Sequence, residues 1–220
     1  MRSLKLAVLF AAAMFIWVND VEAKEKGDWI VRAGATYIDP KSNNGSIVVP
    51  ELGLDSTIRV DSATMLTFDG TYMITNNFGV ELLAALPFKH DISVDGLGKV
   101  GSTKHLPPTL SAVYHFNTSG QFQPYVGAGV NWTIFFDEKE SGVLDTLDAD
   151  LKLDDSWGLA TVVGIDIMLT DSMFLNGNIR YMDIDSDVKI TVPGDDGDLV
   201  VRTTAKIDPW VYAINIGWVF

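Results

Sequence analysis

The chain has no cysteine, only three histidines, and far fewer basic than acidic residues (16 Lys and Arg against 29 Asp and Glu). Without cysteine there is no disulfide scaffold, no thiolate metal centre and no thiol nucleophile. The formal net charge of −13 removes the cationic footprint that a nucleic-acid partner requires. Long apolar runs are missing too: beyond Ala23 nothing approaches the roughly 20 residues of a membrane-crossing helix. Yet 47% of the 220 residues are hydrophobic and the mean hydropathy is +0.18. Apolar residues this abundant, without a run and beside this much charge, must be sorted by position.

Residues 1–23 have the layout of a secretory signal peptide. Arg2 and Lys5 give a positive start, Leu6 to Val18 an uncharged apolar core, and Val21-Glu22-Ala23 a cleavage site of the small-x-small kind. Removal takes away two basic residues (Arg2, Lys5) and two acidic ones (Asp20, Glu22), so the mature chain, residues 24–220, keeps its −13 and works outside the cytoplasm.

In the mature chain apolar and polar residues alternate over segments of about ten residues, the pattern of strands facing two environments. Eight such segments are read, at 28–38, 59–73, 78–88, 109–117, 124–136, 157–169, 173–190 and 200–220. Short polar turns (75–77, 117–123, 170–172) alternate with long links (39–58, 89–108, 137–156 and 183–207, the last able to form an extended hairpin). Aromatic residues gather at both strand ends: Trp29, Tyr72, Phe78, Phe116, Trp218 and Phe220 near the short turns, and Tyr37, Phe88, Trp132, Trp157, Tyr181 and Trp210 near the long links. Two such girdles mark two lipid–water interfaces. The expected fold is all-β: one eight-stranded antiparallel transmembrane β-barrel with short periplasmic turns and long extracellular loops. A soluble barrel would instead turn its larger apolar residues inward.

The stretch Leu106-Pro107-Pro108-Thr109-Leu110-Ser111-Ala112-Val113-Tyr114-His115-Phe116, followed by Gln123-Pro124-Tyr125-Val126-Gly127-Ala128-Gly129-Val130-Asn131, resembles the outer membrane protein W family. So do the segment from Gly79 to His90 and the closing Asp208-Pro209-Trp210 … Gly217-Trp218-Val219-Phe220. The likeness covers essentially the whole mature chain. It implies a barrel in the outer membrane of a Gram-negative bacterium, linked to uptake of small hydrophobic molecules, with close relatives that import alkanes. The partners it implies are those molecules, outer-membrane lipid and lipopolysaccharide, and the barrel-assembly machinery through the strand ending at Phe220. It implies no cofactor.

The opposite face of each strand gives the lumen. In the periplasmic half this face carries Arg32, Asp69, Thr71, Glu81, His115, Tyr125, Asp166, Asn176 and Asn215. In the outer half it is small or apolar (Met65, Leu83, Ala85, Pro87, Phe135, Ala160, Val162, Met182, Val211), with Arg180 the charged exception. Buried charges must be paired. Arg32 and His115 are therefore read as knitting Asp69, Glu81 and Asp166 into a network that plugs the lower lumen; the alternative is that these charges only stabilise the barrel. A hydrophobic molecule could enter the outer funnel lined by Met65, Leu83, Ala85, Phe135, Ala160, Val162, Met182 and Val211. It could not pass the floor, and would have to leave sideways between strands. Pro87 cannot donate to a strand ladder; either an opening in the wall or a simple strand end accounts for it. The rival readings are a closed structural or adhesion barrel and a lipid-modifying enzyme.

For catalysis the sequence offers little. Ser111 and His115 share a face but lie about 13 Å apart along a strand, too far for a nucleophile and its base. There is no G-x-S-x-G elbow, H-E-x-x-H or glycine-rich phosphate loop, so no enzyme activity and no metal site are expected. The link 137–156 carries eight acids and two lysines, and Leu144, Leu147 and Leu151 are spaced for one short amphipathic helix. The aspartates at 183, 185 and 187 and at 195, 196 and 198 fit no EF-hand spacing. They read as a solvated rim, or as a weak divalent contact shared with lipopolysaccharide phosphates.

Overall fold

The computed structural model describes residues 24–49 and 53–220; the signal peptide expected over residues 1–23 lies outside the described residues. In chain order, β1 (Trp29–Asp39) is followed by a hairpin of β2 (Ser46–Val49) and β3 (Leu54–Val60), then by β4 (Ala63–Met73) and β5 (Phe78–Ala85). A second hairpin, β6 (Phe88–Val94) and β7 (Gly98–Leu106), leads to β8 (Thr109–His115) and the long β9 (Phe122–Glu140). One helical turn, α1 (Val143–Thr146), and β10 (Asp150–Leu153) precede β11 (Ser156–Met168). Then come β12 (Met173–Met182), a third hairpin of β13 (Asp185–Val192) and β14 (Leu199–Lys206), and β15 (Trp210–Val219).

Eight of these strands form the wall. β1, β4, β5, β8, β9, β11, β12 and β15 each pair antiparallel with the next, and β15 pairs back onto β1. Closure is what allows a sheet to sit in lipid, where an unpaired edge amide finds no water. The observed fold is thus the eight-stranded barrel read from the sequence. Period two decides which side chains meet lipid. On β15, Trp210, Tyr212, Ile214, Ile216 and Trp218 point outward, while Val211, Ala213 and Asn215 are buried in the lumen. Trp132 and Trp157 stack 5.2 Å apart near one rim, and Trp29 and Tyr72 lie 5.1 Å apart near the other.

The long links turn out to be strands. The segments read as continuous at 59–73, 78–88, 173–190 and 200–220 break at Asp61-Ser62, Leu86-Pro87, Asp183-Ile184 and Ile207-Asp208-Pro209. Beyond these breaks the chain continues as hairpins. β2, β3, β6, β7 and the upper part of β9 make one sheet, and β10, β13 and β14 another. The two are stitched by Thr203 Oγ1 donating to the Ser46 carbonyl (2.7 Å) and Lys206 N to that of Asn44 (2.9 Å). Their inward faces meet in one apolar cluster that includes Ile47, Ile58, Ile92, Leu151, Val188 and Ile190. The result is a collar standing on the barrel rather than loose extracellular loops. The expected helix reduces to one turn: Leu144 is buried on α1, Leu147 is exposed, and Leu151 is buried on β10.

Candidate functional site

The lower lumen is closed by ion pairs. Arg32 on β1 is fully buried; its Nη1 lies 2.8 Å from Asp69 Oδ1 on β4 and 3.3 Å from Glu81 Oε2 on β5, and its Nη2 lies 3.0 Å from Asp166 Oδ2 on β11. Reaching three strands from one position requires the forked guanidinium, which presents five donors. Arg180 Nη1 on β12 takes the other Glu81 oxygen at 2.7 Å, and Lys24 Nζ meets Asp166 Oδ2 at 2.6 Å. Three carboxylates therefore face three cations. Asn176 Nδ2 donates to Asp166 Oδ1 (2.7 Å), and the Tyr125 ring lies 4.9 Å from the Arg32 guanidinium. Gly164 makes room for that ring, because a Cβ there would come within 2.4 Å of Tyr125.

Three details of the plug depart from the sequence reading. Arg180, assigned there to the outer half, belongs to the charge network. Among the described residues His115 pairs with no carboxylate: its Nδ1 is 3.5 Å from Lys24 Nζ and its ring stacks 5.2 Å from Tyr125. Lys24 was not foreseen in the lumen at all. The signal for it was the charge count, since three inward acids facing one arginine require further cations.

Above the floor lies a narrow cavity with about 350 Å³ of space between its walls, open margins included, lined by Leu83, Ala85, Phe88, Met182 and Val211, with Asp69 and Arg180 beneath. Of the other expected lining residues, Met65 and Ala160 pack into the apolar cluster above, and Phe135 faces the collar cavity. Val162 is placed elsewhere: it packs on Val113 and Tyr125, opposite Arg180 and Gly127. It is the seventh of the thirteen residues of β11, and strand tilt puts that position at the level of the charges. The collar cavity, larger at about 610 Å³ counted out to its mouth, is walled mainly by Ile, Val and Leu, with Phe135, Thr103, His90 and His105 among them.

Pro87 stands between the two cavities' levels, in a stretch of wall without a regular ladder. Pairing of β4 with β5 ends at Thr67 and Ala85, and that of β5 with β8 at Leu83 and Thr109. Regular pairing resumes only at Phe88 with His105 and at Val60 with Ile92. Between these points the Leu86 amide donates to Leu66 O (3.2 Å), and Pro87 has no proton to give. Pro107 and Pro108 face the same gap from the other side, where Asn131 Nδ2 reaches their carbonyls at 3.3 and 3.4 Å.

Among the described residues the acids that come together are Asp183, Asp185 and Asp208, at the outer rim. Lys41 pairs with Asp208 and Lys206 lies 3.8 Å from Asp185, so the trio is already neutralised in part.

Residues 25–220 match the model of the OmpW family. The chain belongs to that family. It is 41% identical over 222 residues to outer membrane protein W of Vibrio cholerae, covering 98% of this chain and 95% of that one. It is 30% identical over 200 residues to outer membrane protein AlkL of Ectopseudomonas oleovorans, covering 89% and 83% respectively. The crystal structure of the outer membrane protein OprG from Pseudomonas aeruginosa superposes with a TM-score of 0.80 at 38% identity, over 90% of this chain and 98% of that one. This OmpW-family barrel is accordingly an integral protein of the Gram-negative outer membrane. Both of these relatives are named as outer-membrane proteins.

Proposed function

We propose that this barrel takes up small hydrophobic molecules through the collar and the upper lumen and releases them sideways into the membrane. The observation that carries this reading is the apolar collar cavity standing above a narrow lumen cavity whose floor is a charge-neutral, buried plug of Arg32, Arg180 and Lys24 with Asp69, Glu81 and Asp166. Each Å² of apolar ligand removed from water contributes on the order of 25 cal/mol, which draws a greasy molecule inward. The plug blocks its descent, and the interrupted ladder at Pro87 is the nearest way out. Catalysis has no part in this reading: Ser111 and His115 lie four residues apart on β8, and the His115 ring lies against Lys24 and Tyr125. Acidic residues at the rim remain available to lipopolysaccharide through shared cations, and the Phe220 end of the chain to the assembly machinery.

The test is cellular uptake of a hydrophobic compound by cells carrying Leu83→Asn with Phe135→Asn. Uptake should slow several-fold while folding is retained, and single-channel conductance should stay small in both proteins. Normal import by the double variant, or a wild type that conducts like an open porin, would favour a closed structural barrel instead.

A further inference from the structure

The apolar collar holds two residues that a purely hydrophobic site does not explain. His90 and His105 project from β6 and β7 into the same cavity, 2% and 4% exposed, among Ile58, Ile92, Val188 and Ile190. Their rings stack 4.8 Å apart and 11° from parallel, and the Phe135 ring lies 5.7 Å from His105, tilted 52° to it. An imidazole brings a donor and an acceptor into this file of aliphatic side chains. Each is costly to bury without a hydrogen bond.

The bonding of His90 fixes its tautomer. Its Nδ1 lies 2.5 Å from the backbone oxygen of Asp61, which can only accept, so the ring proton sits on Nδ1. Nε2 is then a bare acceptor, buried, with no donor among the described residues. Thr103, its neighbour across the ladder, does not serve: that hydroxyl donates to the carbonyls of Lys104 (3.3 Å) and Phe136 (3.4 Å). Burial holds both imidazoles below the ordinary histidine value of 6.5, so at neutral pH the Nε2 lone pair of His90 is free.

We propose that the collar selects hydrophobic molecules bearing one hydrogen-bond donor, an alcohol or a phenol, whose hydroxyl donates to His90 Nε2 while the apolar body packs against His105 and Phe135. This rests on the uptake reading and narrows its ligand class. A plain hydrocarbon leaves Nε2 unpaired, and a carboxylate meets no Lys or Arg among the lining residues.

Phenol and toluene, alike in size and differing in the donor, test this on the full protein in lipid nanodiscs. The first readout needs no variant: the ¹⁵N resonances of His90 should report the Nδ1–H tautomer, and phenol, not toluene, should shift Nε2. Both compounds should perturb the methyl resonances of Ile58 and Val188. In His90→Phe, phenol affinity should fall about tenfold and toluene affinity should hold, as expected for one hydrogen bond to a buried acceptor. An Nε2–H tautomer, or equal effects of the two compounds on wild type and variant, would overturn donor selection while leaving uptake of hydrophobic molecules standing. Silence of the collar methyls toward both compounds would overturn the uptake reading as well.

Discussion

Below Leu83 the lumen is filled by charged and amide side chains whose bonds point at particular partners; above it the same sheet turns Ile, Val and Leu toward one another. The lower half is a lock. Arg32 cannot move without breaking contacts to Asp69, Glu81 and Asp166 together. The upper half is held by dispersion contacts, which do not specify a partner and which a guest molecule can replace. One barrel thus carries its directional bonds at the bottom, where they close the tube, and its replaceable contacts at the top, where a ligand arrives. Stability and uptake should therefore respond to different residues.

The largest effect should come from the lock. Arg32→Met leaves three buried carboxylates short of their shared cation, and removing one partner from a buried pair typically costs about 3–5 kcal/mol. Urea unfolding in lipid vesicles should show a loss of that size, and ion conductance should rise as the plug loosens. A variant as stable and as tight as the wild type would mean that the two halves do not divide their tasks this way.

Next in size is the outer surface, where Ile214 faces lipid next to the inward Asn215. Ile214→Arg should cost roughly 2–4 kcal/mol and impair insertion, as charge at mid-height on the lipid face does. The inward side is not uniformly tolerant, however. Asn131 is fully buried and bonded to Thr109 Oγ1 (2.9 Å) and to the carbonyls of Pro107 and Pro108, so substitution there should also be costly.

Lys24 sharpens the comparison from below. It is 1% exposed, shares Asp166 with Arg32, and its backbone nitrogen donates to Thr118 O at 2.8 Å. We infer that the segment ending at Ala23 is removed on export, which would make Lys24 the first residue of the plug. Mass spectrometry of the membrane protein should then give a chain starting at Lys24. Lys24→Met should cost less than Arg32→Met, about 1–3 kcal/mol, because Asp166 retains the guanidinium.

How much of this was legible beforehand follows from what a sequence pattern encodes. Alternation is a local property, so the eight wall strands and the inward positions of Arg32, Asp69, Glu81 and Asp166 could be read directly. Height in the barrel is not local: it depends on tilt and on register with neighbours. That is why Arg180 and Val162, judged by distance from a strand end, lie among the charges and not in the funnel. The collar was missed for another reason. In β6 the inward Phe88, His90, Ile92 and Val94 alternate with Lys89, Asp91 and Ser93 as regularly as in any wall strand. A histidine in that file, and the polar residues around it, disguise a strand as a loop. The pairing partners that make it one, Ile58 to Val60 and Gly98 to His105, are set only in three dimensions.

The smallest effect on stability should fall where the two halves meet, and it should be the most informative for function. Pro87 is half-buried, pre-sets its own backbone and contributes no hydrogen bond to the wall. Pro87→Ala restores an N–H on the side opposite the Leu86–Leu66 bond, where it can pair across the gap toward the Pro107–Pro108 stretch before β8, against a loss of backbone preorganisation of about 0.4–1 kcal/mol in the opposite direction. The two nearly cancel, so the unfolding midpoint should move little. If lateral release runs through this gap, knitting the ladder shut should slow uptake of a hydrophobic compound while leaving its binding in the collar unchanged. If binding and uptake fall together, Pro87 shapes the cavity and not the exit. If neither changes, the molecule leaves the barrel somewhere else along the boundary between the lock and the apolar chamber above it.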